Sequence, residues 1–151
     1  MSGSFDERNG WRLYQHPAFR VPFDALTAEV ERLRPALSAE AFARHPKTKL
    51  LARIVRLILD EIPLDPGAAQ YELGNTLGAA RRHWKRAKFL ERFRLFFRYR
   101  SREKIIVYGW INDQSTLRAR GAKSDPYAVF ERRLERGDPP DAWDDLLEES
   151  G

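Results

Sequence analysis

The sequence contains no cysteine among its 151 residues. That excludes disulfides, thiol catalysis and cysteine-held zinc, and it fits a reducing, cytoplasmic compartment. Histidine is scarce as well. His16, His45 and His83 lie in three separate segments with no second ligand at metal spacing, so they read as structural or surface residues. Long hydrophobic runs are missing too. The most apolar stretch, 50–59, carries Arg53 and Arg56, whereas crossing a bilayer takes about 20 apolar residues, so no membrane span is expected. The start, Met1-Ser2-Gly3-Ser4-Phe5-Asp6-Glu7, has no apolar signal core. Gly74-Asn75-Thr76-Leu77-Gly78 lacks the Lys-Ser/Thr ending of a phosphate loop, which disfavours nucleotide hydrolysis. Acidic side chains cluster only near the end (Asp141, Asp144, Asp145, Glu148, Glu149), where a solvated helix end is a better reading than a two-metal site. No cofactor is expected.

What is present is a core and an uneven charge. Hydrophobic residues make up 42% of the chain and charged ones 32%. A chain of this length forms one domain and buries roughly 70% of its unfolded surface without staples. We expect a single domain over 1–151, with a flexible start (1–8) and an acidic tail (138–151). The net charge is only +5, yet residues 81–104 hold eleven Lys/Arg against Glu91 and Glu103, while 138–149 hold six acids and no base. Such a split points to an anionic partner for the centre, set against the plainer reading of a solvated basic face.

Spacing supplies the elements. Trp11 to Tyr14, after the turn signal Asn9-Gly10, reads as a strand. Phe19, Phe23, Leu26, Val30 and Leu33 share one helix face, and Pro35 ends or kinks that helix. Ser38 caps a short turn. A second helix starts at Pro46 and runs to Ile62, stopping before Pro63. Residues 64–82, with three glycines and Pro66, read as loop. The centre then changes period. Residues 84–89, 93–99 and 104–111 are aromatic and β-branched, separated by gaps that permit hairpins, so an antiparallel meander is expected. Alternation groups Trp84, Arg86 and Lys88 on one face of the first strand, and Arg94, Phe96 and Arg98 on one face of the second. One sheet face would be core and the other cationic. A last helix opens with Asp125 as cap and closes at Gly137. The expected class is α+β, a small antiparallel sheet with two N-terminal helices packed on it and a C-terminal helix.

A cationic sheet face can hold several phosphates, and nearby aromatics can stack on unpaired bases. Such a surface serves as a non-catalytic RNA-binding module, or it catalyses one reaction that needs little more. RNA carries its own nucleophile, the 2′-OH, beside the scissile phosphate, and a protein can cleave it by fixing an in-line geometry and neutralising charge on phosphorus. Only Lys, Arg and Tyr are available here to move protons.

Trp84-x-Arg86-x-Lys88-Phe89, then Phe93 to Tyr99, then Gly109-Trp110-Ile111-Asn112-Asp113 form an ordered series, in which the chain resembles the YhaV-type toxins of the RelE superfamily. It extends upstream to Asn9-Gly10-Trp11, Tyr14, His16-Pro17 and Lys49-Leu50-Leu51. Downstream it takes in Thr116-Leu117-Arg118, Gly121, Lys123-Ser124-Asp125, Tyr127, Val129-Phe130, Arg136-Gly137 and Pro139-Pro140. The resemblance implies a RelE-like microbial RNase fold and a metal-independent endoribonuclease that cuts mRNA, on the ribosome or free of it. It also implies a PrlF-type antitoxin partner, with operator DNA bound only through the toxin–antitoxin complex. Implied catalytic residues are Arg86, Lys88, Arg94, Lys123 and Tyr127, with Lys85, Arg92, Arg98 and Arg118 as RNA contacts. Arg94 would meet transition-state charge. Lys88 or Arg86 would take a proton or touch phosphate, Lys123 or Arg118 would act from downstream, and Tyr127 would stack or serve as base. Phe93 stands where the family often has Tyr, which removes one hydroxyl. A decayed toxin that still binds RNA or a ribosome, and an antitoxin, is the non-catalytic alternative. Two pairings compete with these roles, Arg98 with Glu103 across a hairpin, and Tyr127 with Phe130 and Leu134 in an apolar stripe.

Overall fold

Asn9 and Gly10 both take positive φ and reverse the chain between β1 (Asp6–Arg8) and β2 (Trp11–Gln15), the geometry that Asn-Gly favours in tight hairpins. The computed structural model describes residues 6–151. The expected flexible start therefore falls partly outside the described residues, and its remainder, 6–8, is β1.

Three helices follow: α1 (Pro17–Ala36), α2 (Ala39–Arg44) and α3 (Pro46–Arg56). Two histidines cap them. His16 Nδ1 accepts from the Ala18 N–H at 2.9 Å and His45 Nδ1 from the Lys47 N–H at 3.1 Å, while Ser38 caps α2. Beyond Arg56 the α-helix expected to reach Ile62 widens into a five-residue-ring turn over Leu57–Glu61, in which the Ile62 N–H bonds back to the Leu57 carbonyl. Pro63 explains the remainder. It has no N–H for the Ile58 carbonyl, so the buried Tyr108 hydroxyl donates to that carbonyl at 2.6 Å. Burial pushes the Tyr108 hydroxyl well above its ordinary pKa and so keeps it a donor.

The centre forms β3 (Lys85–Phe89), β4 (Phe93–Arg100) and β5 (Ile105–Ile111), as an antiparallel meander. The whole sheet is not antiparallel. Its order is β1-β2-β5-β4-β3, and β2 pairs with β5 in parallel, because the helices carry the chain from one end of the sheet back to the other. The register slips between Phe96 and Phe97, where Gly109 is the extra residue on β5. Gly109 has a further reason to lack a side chain: a Cβ there would sit 2.7 Å from the Trp84 ring.

The expectation of one core face and one cationic face is corrected. Phe19, Ile54, Leu57, Ile58 and Ile62 pack one face against Leu95, Phe97, Ile106 and Tyr108. The other face is covered as well, by α4 (Pro126–Glu135) and α5 (Trp143–Ser150), which bury Trp84, Phe96, Val107, Trp110, Phe130 and Leu146. Phe96, expected between two cations on an open face, has its ring stacked 4.1 Å from Phe130 and is fully buried. The expected acidic tail, 138–151, carries α5: Asp144, Asp145 and Glu148 are exposed and Asp141 is half-buried, while Trp143 and Leu146 anchor the helix in this second core. The class remains α+β, with a mixed sheet and a second C-terminal helix. Among the described residues no helix is long and apolar enough to cross a membrane.

Candidate active site

With the middle of that face sealed, its cations separate to the two ends of β4. At the β3–β4 turn, Lys88 lies opposite Arg94 and Arg86 opposite Phe96. Alternation thus aims Arg86, Lys88 and Arg94 toward the start of α4. There the Tyr127 hydroxyl accepts from Arg86 Nη1 at 2.9 Å and Arg94 Nε at 3.1 Å. Arg86 Nη2 donates to the Glu72 carbonyl at 2.8 Å, while its buried Nε–H has no partner among the described residues. Arg94 Nη1 donates to the carbonyls of Glu91, at 2.9 Å, and Phe93, at 2.8 Å. Every acceptor in this set is neutral. Among the described residues neither arginine has a carboxylate partner, so two guanidinium charges stand together uncompensated around one phenol oxygen. Such a cluster favours an anion.

Tyr127 is 6% exposed, with its ring edge-on to Phe96 at 5.6 Å, so the ring belongs to the apolar stripe while the hydroxyl is turned to Arg86 and Arg94. Arg118 covers the other side of that ring, its guanidinium 4.9 Å from the centroid. Asp125 holds it there. One Asp125 oxygen accepts from Arg118 and from the Ala119 N–H, at 2.7 Å for the latter, and the other caps α4 through the Tyr127 N–H at 3.1 Å. Arg92 joins from the β3–β4 turn, with Nε donating to the Arg118 carbonyl at 3.1 Å. Lys88 is exposed and has no partner among the described residues. The fold thus gathers Arg86, Lys88, Arg92, Arg94, Arg118 and Tyr127.

The other expected residues are elsewhere. Lys123 is exposed, and its carbonyl accepts from Arg132 at 2.8 Å. Lys85 points to the opposite face, where it pairs with Glu72 at 3.2 Å. Arg98 lies at the far end of β4. It donates to the Asp141 carbonyl at 2.6 Å, rather than pairing with Glu103, and sits between the rings of Trp84, at 5.7 Å, and Trp143, at 5.4 Å. Burial lowers its pKa, Asp141 works against that fall, and Arg100 adds to it. Nearby, the Asp141 carboxylate accepts from Trp84 Nε1 at 2.7 Å and contacts His83 at 2.8 Å and Arg81 at 3.6 Å. Burial would raise the Asp141 pKa, but bonds from His83 and Trp84 and the charges of His83 and Arg81 hold it below the usual carboxylate range.

Sequence reasoning saw Asp125 only as a cap and gave Asn112 no role, yet both fasten this site. Their partners lie across the fold, and no local spacing signals them. Among the described residues no three His, Asp or Glu side chains gather where they could hold a metal ion.

Fold and site together define an α+β protein with uncompensated arginines grouped around a tyrosine hydroxyl at one end of its sheet. Over residues 13–151 the chain matches the YhaV toxin family, described as "toxin with endonuclease activity, of toxin-antitoxin system". The chain belongs to this family of endonuclease toxins. It is 44% identical over 144 residues to the ribonuclease toxin YhaV of Escherichia coli K12, an alignment covering 94% of this chain and 93% of the relative. Toxin YhaV of Escherichia coli O157:H7 and of Escherichia coli O6:H1 are similar to the same extent, each 44% identical over 94% of this chain and 93% of the relative. No solved structure matches the chain.

Proposed function

We propose that the protein is a metal-independent endoribonuclease that cleaves mRNA by attack of the substrate's own 2′-OH, in a RelE-like microbial RNase fold. The observation that carries this is the pair Arg86 and Arg94, which donate only to neutral acceptors around Tyr127. In the reaction the 2′-oxygen bonds to phosphorus and the 5′-oxygen leaves. A base takes the 2′ proton, an acid gives one to the 5′-oxygen, and the products are a 2′,3′-cyclic phosphate and a 5′-hydroxyl. Arg94 and Arg86 offset the charge that grows on the equatorial oxygens. Lys88, exposed opposite Arg94, reaches the phosphate or the 2′ proton. The Tyr127 hydroxyl, held between the two arginines, is the other proton carrier. Arg92 and Arg118 extend the cationic surface along the RNA.

The reading includes a PrlF-type antitoxin that neutralises the toxin in the cytoplasm, with operator DNA bound through the complex. The test is incubation of the purified chain with labelled mRNA in EDTA, with and without ribosomes. Fragments ending in 2′,3′-cyclic phosphate are expected. Retention of RNA without cleavage would instead establish a binding module, and the burial of Arg94 and Tyr127 is the observation that keeps that second reading in view.

A further inference from the structure

Asn112 follows β5 and is 5% exposed, yet every polar atom of its carboxamide is used. Its Oδ1 accepts the Arg94 backbone N–H at 2.8 Å. Its Nδ2 donates to the Thr116 carbonyl at 2.8 Å and to the Arg92 carbonyl at 3.2 Å. The backbone N–H of Asn112 returns a bond to the Arg94 carbonyl at 3.3 Å. One N–H and two carbonyls thus surround the side chain. Only a carboxamide offers one acceptor and two donors in that volume.

These bonds join three pieces of the chain around the site. The Arg94 end of β4 is tied through its own N–H. The β3–β4 turn is tied through the Arg92 carbonyl, which also accepts the Arg118 N–H at 2.9 Å. The loop carrying Arg118 is tied through Thr116. Without the carboxamide, Arg94 and Arg118 lose their common reference, although neither loses its own contact with Tyr127. Misplacement on the scale of 1 Å is enough to cost about 100-fold in rate.

We infer that Asn112 is a positioning residue of the nuclease, which holds Arg94 and Arg118 in register about Tyr127 without touching substrate. The inference rests on the site proposed above. The test compares the full-length wild type with Asn112→Ala, Arg94→Ala and the double variant, on an RNA oligonucleotide, with folding followed by circular dichroism and thermal melting. Asn112→Ala is expected to melt cooperatively and to lose about 100-fold in kcat, with KM within about threefold. The double variant is expected to be no slower than Arg94→Ala by more than about threefold, because the two act as one unit. If Arg94→Ala is inactive and Asn112→Ala retains its rate, or if the two losses multiply, the inference falls and the site stands. If Arg94→Ala retains full rate, the site falls and takes the inference with it. Should Asn112→Ala fail to fold, Asn112→Asp carries the test. It keeps the acceptor for Arg94 but turns a second oxygen on two carbonyls. While it stays folded its kcat should fall at least about tenfold with KM within about threefold, and a rate equal to wild type overturns the inference.

Discussion

Arg94 and Arg98 occupy the same face of the same strand, with Phe96 between them, and strand alternation alone does not tell them apart. The fold gives them different surroundings. At the Arg94 end, Arg86 and Arg94 bond to a phenol and to backbone carbonyls, and among the described residues no carboxylate pairs with them. At the Arg98 end, Arg81, His83 and Arg98 gather about Asp141, beneath the rings of Trp84 and Trp143. The lesson concerns compensation more than charge. A cation facing neutral acceptors keeps its field for an incoming anion, while one grouped with a carboxylate and covered by aromatics serves the fold.

The comparison breaks most completely at Phe96, on which both ends depend. Its ring stacks on Phe130 and meets Tyr127 and Trp110. Phe96→Ala should cost about 3–5 kcal/mol in urea unfolding and abolish cleavage with it. A sharper cut uses the arginines singly. Arg94→Ala should lower kcat by about 100- to 1,000-fold. Arg98→Ala should leave kcat within about threefold while costing about 2 kcal/mol of stability, since it strips a charge-assisted bond and two aromatic contacts. Equal losses of rate from the two would erase the distinction between the ends.

How much of this was legible follows from which interactions are local. The strands were readable because aromatic and β-branched runs alternate at period two, and the alternation of Arg94, Phe96 and Arg98 was correctly assigned to one face. That α4 would cover this face was not readable, since the stacking of Phe130 on Phe96 joins residues far apart in the chain. The parallel pairing of β2 with β5 was hidden for the same reason. In α5 the signal was present but outweighed: Trp143, Leu146 and Leu147 recur at helical spacing, within a run whose acids suggested solvent. Asn112 and Asp125 were invisible as fasteners because a carboxamide or carboxylate declares its partners only once the loops have closed.

The compensated end should also reveal itself by pH. The Asp141 carboxyl is held below its usual range in the folded chain, so the stability it contributes is fully present above the unfolded carboxylate pKa of about 3.9. It is lost as pH falls through the lower folded value. Asp141→Asn should therefore melt at lower temperature than the wild type at neutral pH, and the gap should close below about pH 4. A gap unchanged by acid would remove Asp141 from the centre of that cluster.

The smallest effect lies at the turn beside Arg94. Leu90 and Glu91 both take positive φ, at 45° and 65°, a conformation that disfavours side chains by about 1–2 kcal/mol per residue. The Glu91 carbonyl produced by that turn is one of the acceptors that hold the Arg94 guanidinium. Strain at a site persists where it sets a geometry that a relaxed chain would not keep. Replacing Leu90 by Asn and Glu91 by Gly supplies residues that accept the conformation, although glycine returns some of the gain as unfolded-state entropy. A net gain of about 1 kcal/mol would raise the melting temperature by about 2–4 °C. Cleavage should fall severalfold in the same variant, because a glycine at 91 fixes the carbonyl less firmly and so lets Arg94 wander from Tyr127. A variant both more stable and equally fast would separate the strain from the site, and leave the uncompensated charge of Arg86 and Arg94 as the whole difference between the two ends of the strand.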